Sequence, residues 1–484
     1  MRQRLFRVSL VIAIALAAIA GSAQATDLTA GDIDDHLNFE EFLDYQADAL
    51  ARDSTLPALS FGDRITVRLV DAFARSFGIA YVTVQPGQGG GPMAAVYSGA
   101  DGVARLFPAS DGLPGGALRL EVRREPAGPV LASATVDPSL SDEVTIPVPG
   151  SGVAPTALDL LLVLDTTGSM ADEIAYLTAG FDAIVTAVGE DHPEVTVRLG
   201  LVAYRDMGDE YVVQSHDFTA SLSEMLDWLG RLRAGGGGDY PEAMDQALEA
   251  ARELSWRQGP VARLLVLIAD APPHANRYNA TVDAVRALRN EGIRVHPLAA
   301  SGVGAAAEYV LRSSAVLTHG RYMFLTDDSG LGNSHAEPSV PCYLVTSLDS
   351  LIARVVGSDL SGERIEPDDS EILRTVGDYE KGVCLSSDPA GGGGSGLPSD
   401  SGPSDLALDG LSEDTWTIPL VPGPEERGGL KPFTGPGADG GTDATLNGGA
   451  GSRAKGWTGA AGGLAVAILA GLAVLAFVRR SRRS

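Results

Sequence analysis

The sequence predicts an α/β fold: a doubly wound, mostly parallel sheet of six strands, preceded by a β-sandwich and followed by a disordered linker and one transmembrane helix. Three observations predict it. First, the stretch LDLLLVLDTTGSM at 158–170 is an apolar run, broken only by Asp159, that stops abruptly in polar residues. Such a run reads as a strand buried on both faces, the kind found inside a parallel sheet. Second, from 158 to 356 strand patterns alternate with helical ones. Third, between 61 and 149 the period is two, in short segments separated by turn signals.

The chain begins with Arg2, Arg4 and Arg7, an apolar run over 8–20, and Ala23-Gln24-Ala25. This is the pattern of a secretory signal peptide cleaved after Ala25, so 1–25 is left out of the fold. Residues 26–60 form an acidic leader in which Leu37, Phe39, Phe42, Leu43 and Tyr45 are interleaved with acids. It reads equally as a short amphipathic helix and as a solvated segment, and it carries no assigned function.

Segments at 65–70, 79–84, 94–97, 104–107, 118–122 and 144–148 alternate apolar and polar residues. Pro86-Gly87, Asp101-Gly102 and Asp111-Gly112 punctuate them. This predicts an antiparallel sandwich, loosely similar to Ig-like or prealbumin-like repeats, over 61–149. Its expected role is a spacer or an accessory binding face.

The third unit spans 156–362. After the strand ending at Asp165 come a helix over 170–188, a strand over 195–204 and a more polar edge strand over 211–218. Ser221 caps a helix to Arg233, Gly235 to Gly238 break it, and Pro241 opens another helix to about Trp256. A second buried strand over 264–269 ends in Asp270-Ala271-Pro272-Pro273-His274. Helices over 282–291, 305–317 and 348–356 and strands over 293–299 and 321–325 complete it.

Residues 363–385 read as a C-terminal extension. Cys342 and Cys384 are the two cysteines of an exported chain, so a disulfide is the leading expectation and two buried thiols the alternative. The closed loop would stabilise the fold by about 3–4 kcal/mol in the chain-entropy treatment. Gly, Pro, Ser and Asp dominate 386–456, a linker too polar to bury a core.

Residues 459–478 carry no charge and are followed by Arg479-Arg480-Ser481-Arg482-Arg483. This predicts a single bilayer-spanning helix with the basic tail, 479–484, in the cytoplasm and the bulk of the chain outside it. The segment also resembles the C-terminal sorting signals of some bacterial surface proteins, which would leave the body surface-attached or released. Gly459, Gly463, Ala467 and Gly471 recur every four residues, a small-residue face that allows weak helix dimerisation. A segment so rich in Ala and Gly also gives that spacing by chance. The formal net charge of −27, with 36 Lys and Arg, argues against a nucleic-acid partner, which requires clustered basic residues.

The chemistry concentrates at the ends of the two buried strands. Asp165, Thr167 and Ser169 offer one carboxylate and two hydroxyls at alternate positions, oxygen donors of the sort hard divalent cations take. The same residues also suit a plain strand-to-helix turn with a Ser or Thr cap. They resemble the first metal motif of a von Willebrand factor type A (vWA) domain, Asp-x-Ser/Thr-x-Ser. In that family a Thr from a second loop and an Asp from a third join it.

Asp270 matches the third position. Asp239, in GGGGDYPEA, stands where the Thr is expected, with Glu242 as the alternative alignment and a helix cap as the plain reading of Asp239. The wording VAYRD, GGGGDYPEA and ADAPPH resembles the subgroup that includes hemicentin-like sequences. The resemblance implies one divalent cation (Mg2+, Mn2+ or Ca2+) at Asp165, Thr167, Ser169, Asp239 and Asp270, and cation-dependent binding of a protein, matrix or envelope ligand without turnover. Three carboxylates on one such cation leave about −1, which favours the cation and disfavours an acidic ligand.

Arg205 and Asp206 are expected to pair at the rim. Two other readings stand beside adhesion. One is an architectural envelope protein with a non-functional metal site. The other is a hydrolase built on Ser169 or Thr167 with His274 and Asp270, although no nucleophile elbow, metalloprotease helix or phosphate loop is present.

Overall fold

A computed structural model describes residues 28–329 and 338–385. The signal peptide, linker, transmembrane helix and basic tail all lie outside the described residues. Among the described residues no helix is long and apolar enough to cross a membrane.

Strand β1 (Thr29–Ile33) and helix α1 (Phe39–Arg52) come first. Seven strands follow: β2 (Ile65–Val70), β3 (Tyr81–Pro86), β4 (Ala94–Tyr97), β5 (Val103–Leu106), β6 (Leu118–Arg123), β7 (Ala132–Val136) and β8 (Glu143–Pro147). The next unit runs β9 (Ala157–Asp165), α2 (Ala171–Asp191), β10 (Thr196–Tyr204), β11 (Val213–Thr219), α3 (Leu222–Arg231), α4 (Met244–Arg252) and β12 (Val261–Ala269). It continues α5 (Tyr278–Asn290), β13 (Ile293–Ala299), α6 (Ala305–Thr318), β14 (Tyr322–Thr326), β15 (Tyr343–Ser347) and α7 (Leu348–Ser361). A short strand β16 (Arg374–Val376) and the hairpin β17 (Tyr379–Glu380) and β18 (Val383–Cys384) close the described chain.

The main sheet has nine strands in the order β11-β10-β9-β12-β13-β14-β1-β15-β16. Its first six are the six strands expected from the sequence. Five of them, β10, β9, β12, β13 and β14, are parallel, with β11 antiparallel at the edge. Strand β9 is buried along its whole length. Leu158, Leu160, Leu162 and Leu164 enter the core under α2, α3 and α7, and Leu161 and Val163 enter the core under α1, α4, α5 and α6. Each such leucine contributes about 1.5–3 kcal/mol by burial, which is why the run has no polar alternation.

The three additional strands correct the expected count of six. β1 comes from the acidic leader and pairs antiparallel with β14 and β15. Its sequence, TAGDI, has none of the marks of a buried strand, because the space beside it excludes large side chains. A Cβ on Gly31 would lie 2.9 Å from the Phe324 and Tyr343 rings. Thr29 is buried by donating its hydroxyl to the Thr326 carbonyl at 3.0 Å. Helix α1 is amphipathic, and its Phe42 meets Phe61, which in turn meets Phe107, in two edge-to-face contacts.

Strands β2 to β8 form two sheets, β5-β2-β8 and β4-β3-β6-β7, over one shared core. Only the β2–β8 pair is parallel. The sandwich is fastened to the α/β unit by Arg289, paired with Asp111 at 2.5 Å with both groups buried, and by Arg286, which donates to the Ser110 carbonyl at 2.6 Å. Cys342 and Cys384 form a disulfide. Beside it Cys384 N–H donates to Asn38 Oδ1 at 2.7 Å, and Asn38 Nδ2 donates to the Gly382 carbonyl at 2.8 Å. The C-terminal extension is thereby stapled to the N-terminal segment.

Candidate metal centre

β9 and β12 are neighbours whose following connections leave on opposite sides of the sheet, and a crevice forms outside their carboxyl ends, where open α/β sheets bind ligands. It has a volume of about 660 Å3 and is walled by the first loop (Thr167 to Ser169), the glycine-rich second loop, and Asp270 of the third.

Asp165 is the last residue of β9 and is 0% exposed. Its Oδ1 accepts from the Thr167 N–H at 2.9 Å and the Thr167 hydroxyl at 2.7 Å. Its Oδ2 is buried without a hydrogen-bond partner. The Ser169 hydroxyl lies 3.4 Å from that of Thr167. Asp270 follows β12 directly and is 6% exposed.

The second loop is laced to the first. Gly235 N–H donates to the Thr166 carbonyl at 3.1 Å, and Gly168 N–H to the Gly236 carbonyl at 3.3 Å. Gly236 and Gly237 have φ of +79° and +69°, a region glycine enters without strain. A Cβ on Gly237 would also press on Thr167 and on Glu242 Oε1.

The chain then turns inward. Glu242 N–H donates to the Pro272 carbonyl at 3.0 Å, and this pairing with the third loop delays the helix expected from Pro241 until Met244. The Glu242 carboxyl is 3% exposed and its Oε2 has no partner. Asp239 is exposed at the mouth of the crevice. Of the two second-loop acids weighed from the sequence, Glu242 is therefore the one that faces Asp165.

The electrostatics follow. Burial, then Asp270, push Asp165 up to about 7. Burial, then Asp165, Asp206, Asp209 and Asp270, push Glu242 up to about 9. Burial also raises Asp270, partly offset by the Ser169 hydroxyl. Beneath them Tyr204 is raised well above the usual phenol value, by burial and then by the same three carboxylates. No cation within the described residues balances the group. Arg205 is turned to Glu210 at 3.4 Å and to the Arg233 carbonyl at 2.7 Å, while Asp206 pairs with His274 at 2.7 Å. The expected Arg205–Asp206 pair is replaced by these two.

His274, weighed from the sequence as a base for Ser169 or Thr167, holds Asp206 with its Nε2 at 2.7 Å. Among the described residues no three His, Cys, Asp or Glu side chains close on one point tightly enough to hold an ion by themselves. The donor set here mixes carboxylates with the two hydroxyls. All its donors are oxygen, and two of the oxygens are buried without partners, which fits a hard divalent cation.

The sequence reading missed Glu173 and Tyr240. Glu173, in the first turn of α2, is 3% exposed and accepts from Ser301 N–H at 3.1 Å and the Ser301 hydroxyl at 2.6 Å. The signal was an acid on the same helical face as Met170, Ile174 and Leu177. The Tyr240 hydroxyl donates to the Asp270 carbonyl at 3.1 Å and accepts from Gly304 N–H at 2.6 Å, strapping the second loop across to the loop after β13. Nothing local to Tyr240 signals this.

Residues 159–330 match the family model for the von Willebrand factor A domain, and the chain carries such a domain. The alpha-protein kinase vwkA of Dictyostelium discoideum is 27% identical over 146 residues, 30% of this chain and 23% of that protein. An ariadne-like RING finger protein of Acanthamoeba polyphaga mimivirus is 30% identical over 117 residues, 24% of this chain and 11% of that protein. The matches thus span less than a quarter of either relative.

Among solved structures, the conserved hypothetical protein BatB from Bacteroides thetaiotaomicron is 14% identical with a TM-score of 0.30, over 42% of this chain and 98% of that one. An aerotolerance-related membrane protein from Bacteroides fragilis is 13% identical with a TM-score of 0.28 over the same shares.

Proposed function

We propose that this chain is an exported, membrane-anchored binding protein without enzymatic turnover, whose vWA domain captures a protein or a matrix or envelope component in a cation-dependent way. vWA domains commonly bind proteins. The cation is assigned to Asp165, Thr167, Ser169, Glu242 and Asp270, with Asp239 at the mouth. The observation that carries this reading is the pair of partnerless buried oxygens on Asp165 and Glu242, within one group of three carboxylates that no basic side chain offsets. A divalent cation bound there would neutralise most of that charge and leave about −1.

The remaining charge bears on the partner. An acidic side chain gains little from such a centre, so the ligand is expected to engage it through neutral or basic groups. The export signal and the apolar segment before Arg479 support the extracytoplasmic, single-pass placement.

Calorimetric titration of the full chain with Mg2+, Mn2+ and Ca2+, beside Asp165→Ala, tests the metal reading. One cation per chain, lost in the variant, is expected. No uptake of any of the three would overturn it in favour of the architectural alternative. For the binding reading, captured ligand should be released by EDTA.

A further inference from the structure

A second cavity, of about 160 Å3, lies at the opposite edge of the sheet, where the sandwich meets the α/β unit. Four arginines from four separate segments line it: Arg105 from β5, Arg294 from β13, Arg321 just before β14, and Arg364 after α7. At that volume it holds about five waters' worth of space, enough for a four-oxygen anion and little more.

Several guanidinium donors of the lining are unspent. Arg294 is spent on Asp359, whose other oxygen takes His296 Nε2 at 2.7 Å. Arg364 reaches Glu366 at 2.6 Å, the Tyr379 hydroxyl at 2.9 Å and Asp32 at 3.4 Å, but its Nη1 is buried without a partner. Arg321 approaches Asp32 only to 3.7 Å, beyond hydrogen-bond reach. Among the described residues the Arg105 guanidinium has no hydrogen bond and no carboxylate within 4 Å, although the residue is half-buried and burial lowers its pKa.

Carboxylates share the lining, and Asp34 and Asp101 attract Arg105 without hydrogen-bonding to it. Asp34 and Asp101 accept from the His36 and Val103 N–H groups at 3.0 Å each, and Glu363 is exposed. His36 and His319 add no charge, because burial and then Arg105 hold both well below the usual imidazole value.

We propose that this cavity binds one small oxyanion, of phosphate, sulfate or carboxylate chemistry, which ties the sandwich to the vWA domain. Guanidinium forks match such oxygens in geometry as well as charge. The anion would take the unspent donors of Arg105, Arg321 and Arg364. It would link β5 of one unit to β14 and the segment after α7 of the other.

The test is calorimetry and thermal unfolding of the full chain with inorganic phosphate, sulfate or acetate, against chloride at equal ionic strength. It is run in EDTA and repeated in Asp165→Ala, so that a cation in the crevice cannot recruit the anion. Saturable binding of one anion per chain and a midpoint raised by several degrees are expected. The three anions distinguish a tetrahedral from a carboxylate ligand.

Arg105→Met should weaken binding at least tenfold. Without anion it should melt at or above wild type, since it removes an unpaired cation from a desolvated site. Arg364→Gln should also weaken binding and serves if Arg105→Met does not fold. No saturable binding of any of the three anions, or wild-type binding in both variants, would overturn the proposal.

Discussion

Two aspartates six residues apart on β9 are equally buried and have opposite fates. Asp159, near the amino end, is clamped by Arg198 at 2.8–2.9 Å and by Arg257 Nε at 2.8 Å, and it also accepts from the Arg257 N–H. Burial alone would raise it, but those hydrogen bonds overcome burial and hold it below the usual carboxylate value. Asp165, at the carboxyl end, has two bonds to one oxygen and none to the other, and sits near two further acids. A buried carboxylate with a full set of donors is part of the architecture. One left half-partnered among like charges is a candidate site for a counter-charge.

The largest effect should come from Asp159→Ala. It leaves two arginines facing a buried gap and should cost about 3 kcal/mol in urea unfolding. In EDTA, Asp165→Asn should be neutral or stabilising. Equal destabilisation by the two changes would break the contrast.

Next comes the cation. At a hundredfold excess over its dissociation constant it should stabilise wild type by about 2.7 kcal/mol and leave Asp165→Asn unmoved, as read by thermal melts.

The pH dependence of the two ends should have opposite sign. Asp165 and Glu242 have folded values raised from 3.8 to about 7 and from 4.5 to about 9. The folded state therefore binds more protons than the unfolded state in those windows, and stability of the cation-free protein should fall as pH rises through them. Asp159 is depressed, so its contribution is present above the unfolded value of 3.8 and lost below it. Saturating cation or Glu242→Gln should flatten the neutral-to-alkaline decline. A cation-free stability that does not fall between pH 5 and about 8 would show the crevice carboxylates to be compensated.

The smallest effect should be that of Asp239→Thr. An exposed position should change stability by no more than about 0.5 kcal/mol, and the cation should still bind. Glu242→Gln should lose cation affinity and, by removing one charge, gain capture of an acidic peptide immobilised on beads. If Asp239→Thr instead abolishes cation uptake, the mouth residue is a ligand and the assignment reverses.

These contrasts mark how far the sequence could be read. Asp165 and Asp270 were legible because each ends an apolar run, and a run buried on both faces places its last residue at a sheet edge. Thr167 and Ser169 followed from spacing across one turn. The choice between Asp239 and Glu242 was not legible, because it depends on the Glu242 N–H finding the Pro272 carbonyl of another loop. The Arg205–Asp206 expectation failed for a similar reason: both side chains found partners elsewhere, on Glu210 and His274.

By itself the sequence determined the elements whose physics is local. Periodicity marked six strands of the α/β unit along the chain and most strands of the sandwich, and the acids at the strand ends marked where the crevice would lie. Only the tertiary structure decided the elements whose stability is borrowed. TAGDI is a strand because β14 and β15 leave a slot too narrow for any Cβ at Gly31. Asn38 joins segments more than 300 residues apart, and the disulfide beside it joins two cysteines 42 residues apart. The arginine-lined cavity exists only where five segments of chain meet. Hydrophobic patterning is written along the chain and can be read there, whereas shape and charge complementarity between distant segments are properties of the folded pair.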